Sequence, residues 1–540
     1  MNDVKISFSG GKYKALFFSV LTGILLGVSW APSSLAPLLF IAFIPLFFVL
    51  DECNSYKKLF LYSFIAFAIW GISVLYWMGN IVINEPKEAI TFLAFVIIPL
   101  IMTIPVLVWR LTANRNKYLL WLSFPFFWTT YEFIQGRGDL AFTWLNLGLG
   151  LSSYPKLIGF YRFTGAYGGT IAILMINVLL FLIIKYRADK KIRGRILAGL
   201  ASLIICITWA DLAPGDYSPF NSEPDNKVAV AVVQANTDPY IKLDAHSLDA
   251  QFDTLRNMLL PLKGKHLDLI VCSEGYFRTS ARPVLLNYIE QDTLIKSIKQ
   301  LSLQMNAPIL TGMIVQKIYY AAVAPSPTAT KIKEGMYFDS YNAALLISPY
   351  QNTQVYVKDK LVPFMERTPL VGIFSFLERF HFSLNQMKSS YSRMDNQYLF
   401  TYGNMKIDPV ICLEVAFPDY ITGFVKKGAN MIVVISNDGW VGTTSGYMQG
   451  ADYALALAAE MQKPVVRCAN TGVSLFIQHG KITKVGNWHE KKVIVQDVTL
   501  NNKLSFYTKY GDILGVLSII ICTCFIVYSP FKLFLRKSYK

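Results

Sequence analysis

Asp408-Pro409-Val410-Ile411-Cys412-Leu413-Glu414-Val415-Ala416-Phe417-Pro418 sets a thiol at the end of a short apolar run. A thiol placed there is a candidate nucleophile. Taken alone, Cys412 reads as a small core residue, because free cysteine is among the most buried side chains. Its neighbours in the fold decide whether it is reactive.

Strand-like runs of similar texture recur at 228–234, 267–272, 308–315, 343–348, 431–435, 464–468, 473–477 and 493–498, besides 409–412 itself. Helical periodicity fits 247–262, 291–305 and 447–461. Alternating buried strands and helices predict an α/β layered fold with helices covering the sheets.

Two further segments in this region end in chemistry. Asp268-Leu269-Ile270-Val271-Cys272-Ser273-Glu274 closes on a carboxylate, and Tyr356-Val357-Lys358-Asp359-Lys360-Leu361-Val362-Pro363-Phe364-Met365-Glu366 carries an ammonium and a second carboxylate. A carboxylate of raised pKa can take a thiol's proton, and an ammonium stabilises both thiolate and oxyanion. Cys272 and Cys468 lie within strands and read as core.

The remainder of the 540 residues is too apolar for an average soluble protein: 53% hydrophobic and 14% aromatic, with mean hydropathy +0.38. Stretches of spanning length lie at 13–30, 33–50, 59–78, 90–109, 118–134, 166–184, 196–212 and 512–528. The formal charge of +16 is spread between these stretches and not gathered on a nucleic-acid-binding face. Counting from a cytoplasmic N-terminus, inside segments hold 18 Lys and Arg against 4 in the short outside loops, which places about 213–511 outside. The seven cysteines form no CxxC pair and the five histidines no HExxH, so no disulfide framework, metal or cofactor is indicated.

The ordered Glu274, Lys358 and Cys412 resemble the Glu-Lys-Cys triad of the carbon-nitrogen hydrolase (nitrilase) superfamily, which lies on an α-β-β-α sandwich. Joined to the helical bundle, to Lys358-x-x-Leu-Val-Pro-Phe-x-Glu366, to Val434-Ile435-Ser436-Asn437-Asp438-Gly439-Trp440-Val441-Gly442, to Arg467-x-x-Asn470-x-Gly472 and to Phe506-Tyr507-x-x-x-Gly511-Asp512, the chain resembles the apolipoprotein N-acyltransferase family over nearly its whole length. The resemblance implies eight transmembrane helices with the sandwich inserted between the seventh and eighth: a bundle at 1–212, a periplasmic catalytic domain at 213–511, and a last helix with a cytoplasmic tail at 512–540.

It further implies Glu274 as general base, Lys358 as oxyanion stabiliser and Cys412 as nucleophile. Glu366 and Glu414 would be supporting carboxylates, the Leu413 backbone N–H a second oxyanion donor, and Asn437 and Trp440 supporting or substrate-binding residues. Leu243 and Leu413 stand where the family often has Trp and Tyr. The implied activity is transfer of an acyl chain from a membrane phospholipid, through a Cys412 thioester, to the α-amino group of a diacylglyceryl-apolipoprotein, by a monomer in the bacterial cytoplasmic membrane. The alternative is a membrane-tethered amide hydrolase in which water resolves the thioester. A transporter is disfavoured, because the spans hold no pair of broken helices in corresponding halves.

Three other features have two readings each. Glu132, near the outer end of a span, pairs with Arg137 or Arg162, or meets a lipid head group. Tyr76, Trp77 and Trp144 read as interfacial aromatics before ligands. Phe374, Phe376, Phe380 and Phe382 form a packed helix face or an arm that dips into the outer leaflet.

Overall fold

The computed structural model describes residues 11–80, 93–112, 117–212, 226–239, 247–278, 282–363, 365–369, 390–394 and 398–538. The aromatic stretch 374–382 and Leu243 lie outside them.

Fourteen strands among these residues form two sheets. The first runs in the order β14 (Lys492–Thr499), β1 (Lys227–Gln234), β2 (Leu269–Cys272), β4 (Ile309–Tyr320), β6 (Met336–Ile347), β5 (Thr330–Lys333), with β3 (Val284–Leu285) on β4 and β7 (Gln354–Val357) on β6. The second is β13 (Lys481–Val485), β12 (Leu475–Gln478), β11 (Val465–Ala469), β10 (Met431–Ser436), β9 (Met405–Ile411), β8 (Phe400–Tyr402). Strands β1, β2 and β4 run parallel, as do β9, β10 and β11. Their continuous apolar runs suit strands covered on both faces.

Alternation along each strand sorts the layers. Val230 and Val232 of β1 and Val271 of β2 pack against Ile411, Val433 and Val466 of the second sheet. The intervening Ala231, Val233 and Ile270 face the helices α9 (Leu248–Leu259) and α10 (Thr293–Met305). On the far side, Val410, Ile432 and Val434 pack with α11 (Pro418–Lys426) and α12 (Ser445–Met461). The order is α-β-β-α. The side chains of Ser247, Asp292 and Thr444 accept from the first free N–H groups of α9, α10 and α12 and so fix where these helices start.

Ahead of the sandwich come α1 (Gly11–Val28), α2 (Ile44–Glu52), α3 (Tyr56–Leu75), α4 (Ile98–Met102), α5 (Ile104–Leu111), α6 (Lys117–Gln135), α7 (Tyr161–Lys185) and α8 (Lys190–Leu212); α13 (Phe506–Tyr510) and α14 (Ile513–Ser538) follow it. Among the described residues three helical segments are long and apolar enough to cross a membrane: Tyr56–Asn80, Tyr161–Lys185 and Lys190–Leu212. Phe95–Leu111 and Ile513–Tyr528 are shorter apolar helices.

Two of the expected spans are broken. In 33–50 only Ala36–Phe40 (a 3₁₀ turn) and the nine-residue α2 are helical, with Pro37 and Pro45 in their first turns. The described part of 90–109 is a π turn followed by α4 and α5, which begin on Ile98-Pro99 and Ile104-Pro105. Proline lacks the N–H that a continuing helix needs.

The α12 layer merges with the bundle. One cluster of buried side chains runs from Val434 and Leu475 through Leu455 and Met461 to Trp30, Phe47, Trp128 and Phe181. Gly165 interrupts α7 with φ 63°, and a Cβ there would lie 2.4 Å from the Tyr507 ring. Past that break the Ala166 N–H donates to Oε1 of Glu460 on α12 (2.6 Å).

Candidate active site

Strand β9 ends at Ile411, and Cys412 then takes the left-handed conformation (φ 51°) as a 3₁₀ turn, Cys412–Ala416, begins. A non-glycine residue held there is strained, and such strain persists only where surrounding contacts fix it. Those contacts converge on Glu414, which is fully buried. Its Oε2 accepts from Ile411 N (2.8 Å), and its Oε1 from Tyr356 Oη (2.7 Å), Asp359 N (2.9 Å) and Lys360 N (3.2 Å). Glu414 thus ties the strand end before Cys412 to the segment after Lys358.

Glu274 follows β2, and Gly312 on β4 lets its loop pass close: a Cβ at 312 would lie 2.6 Å from the Glu274 Cα. Lys358 follows β7. Its Nζ donates to Glu366 Oε1 (2.9 Å) and Glu274 Oε1 (3.3 Å). Asn342 of β6 donates its Nδ2 to the same two oxygens (3.1 and 2.8 Å). Glu274 Oε2 accepts from Asn437 N (3.2 Å), and Glu366 Oε2 from Val362 N (2.8 Å).

Charge and burial oppose one another here. Burial pushes the half-buried Cys412 thiol up, the Glu274 carboxylate adds to this, and Lys358 only partly offsets it, so the thiol rests protonated. Burial alone would lower Lys358, but Glu274 and Glu366 outweigh it and hold the ammonium charged. Burial pushes Glu414 up to about 7 against its hydrogen bonds. Asp408, buried with neither carboxyl oxygen hydrogen-bonded, is raised by burial and by Glu414. The arrangement can move a proton from thiol to carboxylate and hold an oxyanion beside an ammonium.

The three expected catalytic residues, with Glu366, Leu413, Asn437 and Trp440, line one chamber of about 110 Å³. Glu414 lies behind it. Trp440 carries the Arg278 guanidinium 5.1 Å over its ring. The opposite wall comes from the bundle: Trp77, Met78, Phe142 and Trp144. Beside it lies a second, largely apolar cavity of about 550 Å³ between helices.

Several sequence readings need correction. Trp77 and Trp144 are not interfacial: both are buried, and both donate their indole N–H to Oε1 of Gln449 on α12 (3.1 and 2.7 Å). That one acceptor holds two rings from the bundle against the chamber. Glu132 pairs with neither arginine and, 1% exposed, meets no head group. It accepts from Trp128 Nε1 (2.9 Å), Leu147 N (2.7 Å) and Thr170 Oγ1 (2.7 Å). Arg137 pairs instead with Asp419 (3.1 Å) and Asp512 (3.2 Å), and Arg162 donates to the Ala210 carbonyl. Cys272 and Cys468 are core residues, as read.

Sequence reasoning missed Asn342 and the pair formed by Arg467 and Asp438, two parallel bonds of 2.8 and 3.0 Å in the chamber wall. Asn342 left little signal, a primary amide in the middle of β6 between Asp339, Ser340 and Tyr341 and the apolar run that follows.

A sequence profile described as carbon-nitrogen hydrolase matches residues 229–503, and one described as apolipoprotein N-acyltransferase N-terminal domain matches residues 22–179. The chain is 27% identical over 518 residues to a Chlorobaculum tepidum protein named apolipoprotein N-acyltransferase, covering 93% of each. It is 26% identical over 508 residues to a Geobacter metallireducens protein of the same name, covering 92% of this chain and 91% of that one. Among solved structures, a CN-hydrolase superfamily protein from Xanthomonas campestris aligns at TM-score 0.35 and 14% identity, over 50% of this chain and 90% of the other.

Proposed function

Since this chain belongs to the carbon-nitrogen hydrolase family, we propose that it transfers an acyl chain from a membrane phospholipid to the N-terminal α-amino group of a diacylglyceryl-apolipoprotein. The observation that carries this reading is the shared chamber: Glu274, Lys358 and Cys412 on one side, apolar side chains of the helical bundle on the other. A soluble amide needs no such wall. A lipid does, because moving an acyl chain into water costs about 0.8 kcal/mol per methylene.

In the first step Glu274 takes the Cys412 proton as the sulfur attacks the ester carbonyl. Lys358 and the Leu413 N–H stabilise the tetrahedral oxyanion. Collapse breaks the ester C–O bond, Glu274 returns the proton to the departing oxygen, and a lysophospholipid leaves a thioester on Cys412. In the second, Glu274 takes a proton from the acceptor's amine as nitrogen attacks the thioester. The C–S bond breaks, and the proton passes to the sulfur. Because Cys412 rests as a thiol, proton removal accompanies attack, which favours a base within reach over a standing thiolate. Glu366 and Asn342 hold Glu274 and Lys358 in register, Asn437 steadies Glu274 through its N–H, and Trp440 walls the acyl site.

The proposal includes a monomer with eight spans, residues 213–511 outside the cytoplasm, and both ends inside. Its support is the three long apolar helices and the Lys and Arg asymmetry. The broken second stretch counts as a span packed in protein, where interrupted helices are tolerated; Leu39, Leu46, Phe47 and Leu50 are fully buried.

Incubation of the purified protein with phospholipid and no acceptor tests the reading by intact-mass spectrometry. A stable acyl adduct, absent in Cys412→Ala, is expected. Steady release of fatty acid without an adduct would point to the hydrolase instead.

A further inference from the structure

One short segment of the bundle, residues 137–144, reaches the sandwich at four points around the site. Asp139 pairs with Arg393 (2.9 Å), Arg137 with Asp419 (3.1 Å), and Trp144 donates to Gln449 (2.7 Å). The fourth contact touches the nucleophile's own turn: Thr143 Oγ1, buried, donates to the Ala416 carbonyl (2.6 Å).

Ala416 closes the 3₁₀ turn that Cys412 opens. In such a turn each carbonyl is tied to the N–H three residues on, so its peptides move together. The near end is held from within the sandwich, by the Ile411 N–H on Glu414 Oε2. The far end is held from the bundle, by Thr143. Between these anchors lies the peptide that carries the Leu413 N–H, next to a residue at φ 51° that only surrounding contacts keep in place. Thr143 itself has a stiff mount: Gln135 Nε2 donates to the Phe142 carbonyl and Tyr453 Oη to the Trp144 carbonyl, each at 2.7 Å. Phe142 and Trp144, on either side of it, line the chamber.

We propose that Thr143 is a positioning residue for the acyl-transfer reaction, through which the bundle aims the Leu413 N–H at the oxyanion. The proposal rests on the reading of Leu413 as oxyanion donor given above, and adds what sets the direction of that donor. The Glu274 and Lys358 side chains bond to one another, to Asn342, Glu366 and Asn437, and not to this turn. Loss of the Thr143 hydroxyl therefore reaches oxyanion stabilisation and spares proton removal.

The test uses the full-length protein in detergent and two reagents for Cys412, each followed by intact mass. Attack on a two-carbon activated ester builds an oxyanion; displacement of iodide from iodoacetamide builds none. In both, the thiol proton passes to Glu274. Thr143→Val, of similar shape without the hydroxyl, is expected to lower the maximal acylation rate by about tenfold or more, with the half-saturating ester concentration and the alkylation rate unchanged. Thr143→Ser, which keeps the donor, is expected to restore most of the acylation. An unchanged acylation rate in Thr143→Val overturns the proposal. So does a parallel fall in acylation and alkylation, since Thr143 would then serve the fold of the turn and not the direction of one N–H, and so does a loss that Thr143→Ser shares in full. A wild-type protein labelled by both reagents but never acylated by phospholipid would sink the phospholipid-donor reading, while the ratio of the two labels still decides the role of Thr143.

Discussion

Glu414 sits two residues from the sulfur and holds the site's two halves together, so its ionisation bears on both stability and geometry. Its pKa is raised from 4.5 to about 7 by burial. The native state therefore keeps a proton that the unfolded chain has lost between those values, and the stability due to this group is greatest below 4.5 and declines as pH rises through 7. Glu414→Gln is fixed neutral. Across about pH 5 to about pH 8, wild-type Tm is expected to fall relative to that of the variant in thermal unfolding; a constant difference would contradict the assignment. The variant's amide also turns a donor toward Ile411 N–H, an unsatisfied contact costing about 1–3 kcal/mol. Glu274, Lys358 and Cys412 were legible in the sequence because each ends an apolar run in a residue type with its own chemical task. Asn342 was not, because an amide within a strand carries no chemistry until its neighbours are known. Trp77 and Trp144 were misread because rings near span ends usually sit at the membrane surface; their acceptor, Gln449, is more than 300 residues away in the chain.

At the scale of elements, α12 belongs to two layers at once, covering the second sheet and seating the bundle. Gln449 takes two indole N–H groups on one oxygen, and Tyr453 donates to the Trp144 carbonyl while accepting from Trp30 Nε1. Gln449→Leu leaves both indole donors buried without an acceptor. A loss of about 2–4 kcal/mol is expected, read as a lowered Tm in detergent together with slower acylation of Cys412. An unchanged Tm would mean that the rings are held by packing alone. Strands covered on both faces, such as β10 and β11, were legible to within a residue or two. The outer halves of β4 and β6 escaped because they are only half-buried, and β5, β8 and β13 because they lie at sheet edges; both mix charged and apolar residues and lose the run that marks a core strand. The apolar stretches read correctly as hydrophobic, but their length alone concealed the breaks at Pro37, Pro45, Pro99 and Pro105.

For the whole molecule, the continuous core between sandwich and bundle argues against an independent catalytic domain. A fragment of residues 213–511 would expose Leu455, Leu457, Val415 and the α12 face that Trp30, Trp144 and Phe160 otherwise meet. Such a fragment is expected to aggregate or to bind a hydrophobic dye without forming an acyl adduct on Cys412 from a short-chain activated ester. Recovery of a monodisperse fragment that reacts would show the bundle to be dispensable for the fold.

The first strand of the domain is paired with its last: all eight residues of β1 lie opposite β14, Lys227 against Thr499 and Gln234 against Lys492. During synthesis at about 5–20 residues per second, β1 waits on the order of tens of seconds for that partner. Through that interval its backbone edge is open to any other strand. The sandwich therefore closes only as the final helix emerges from the ribosome, and a chain truncated before β14 keeps a sticky edge.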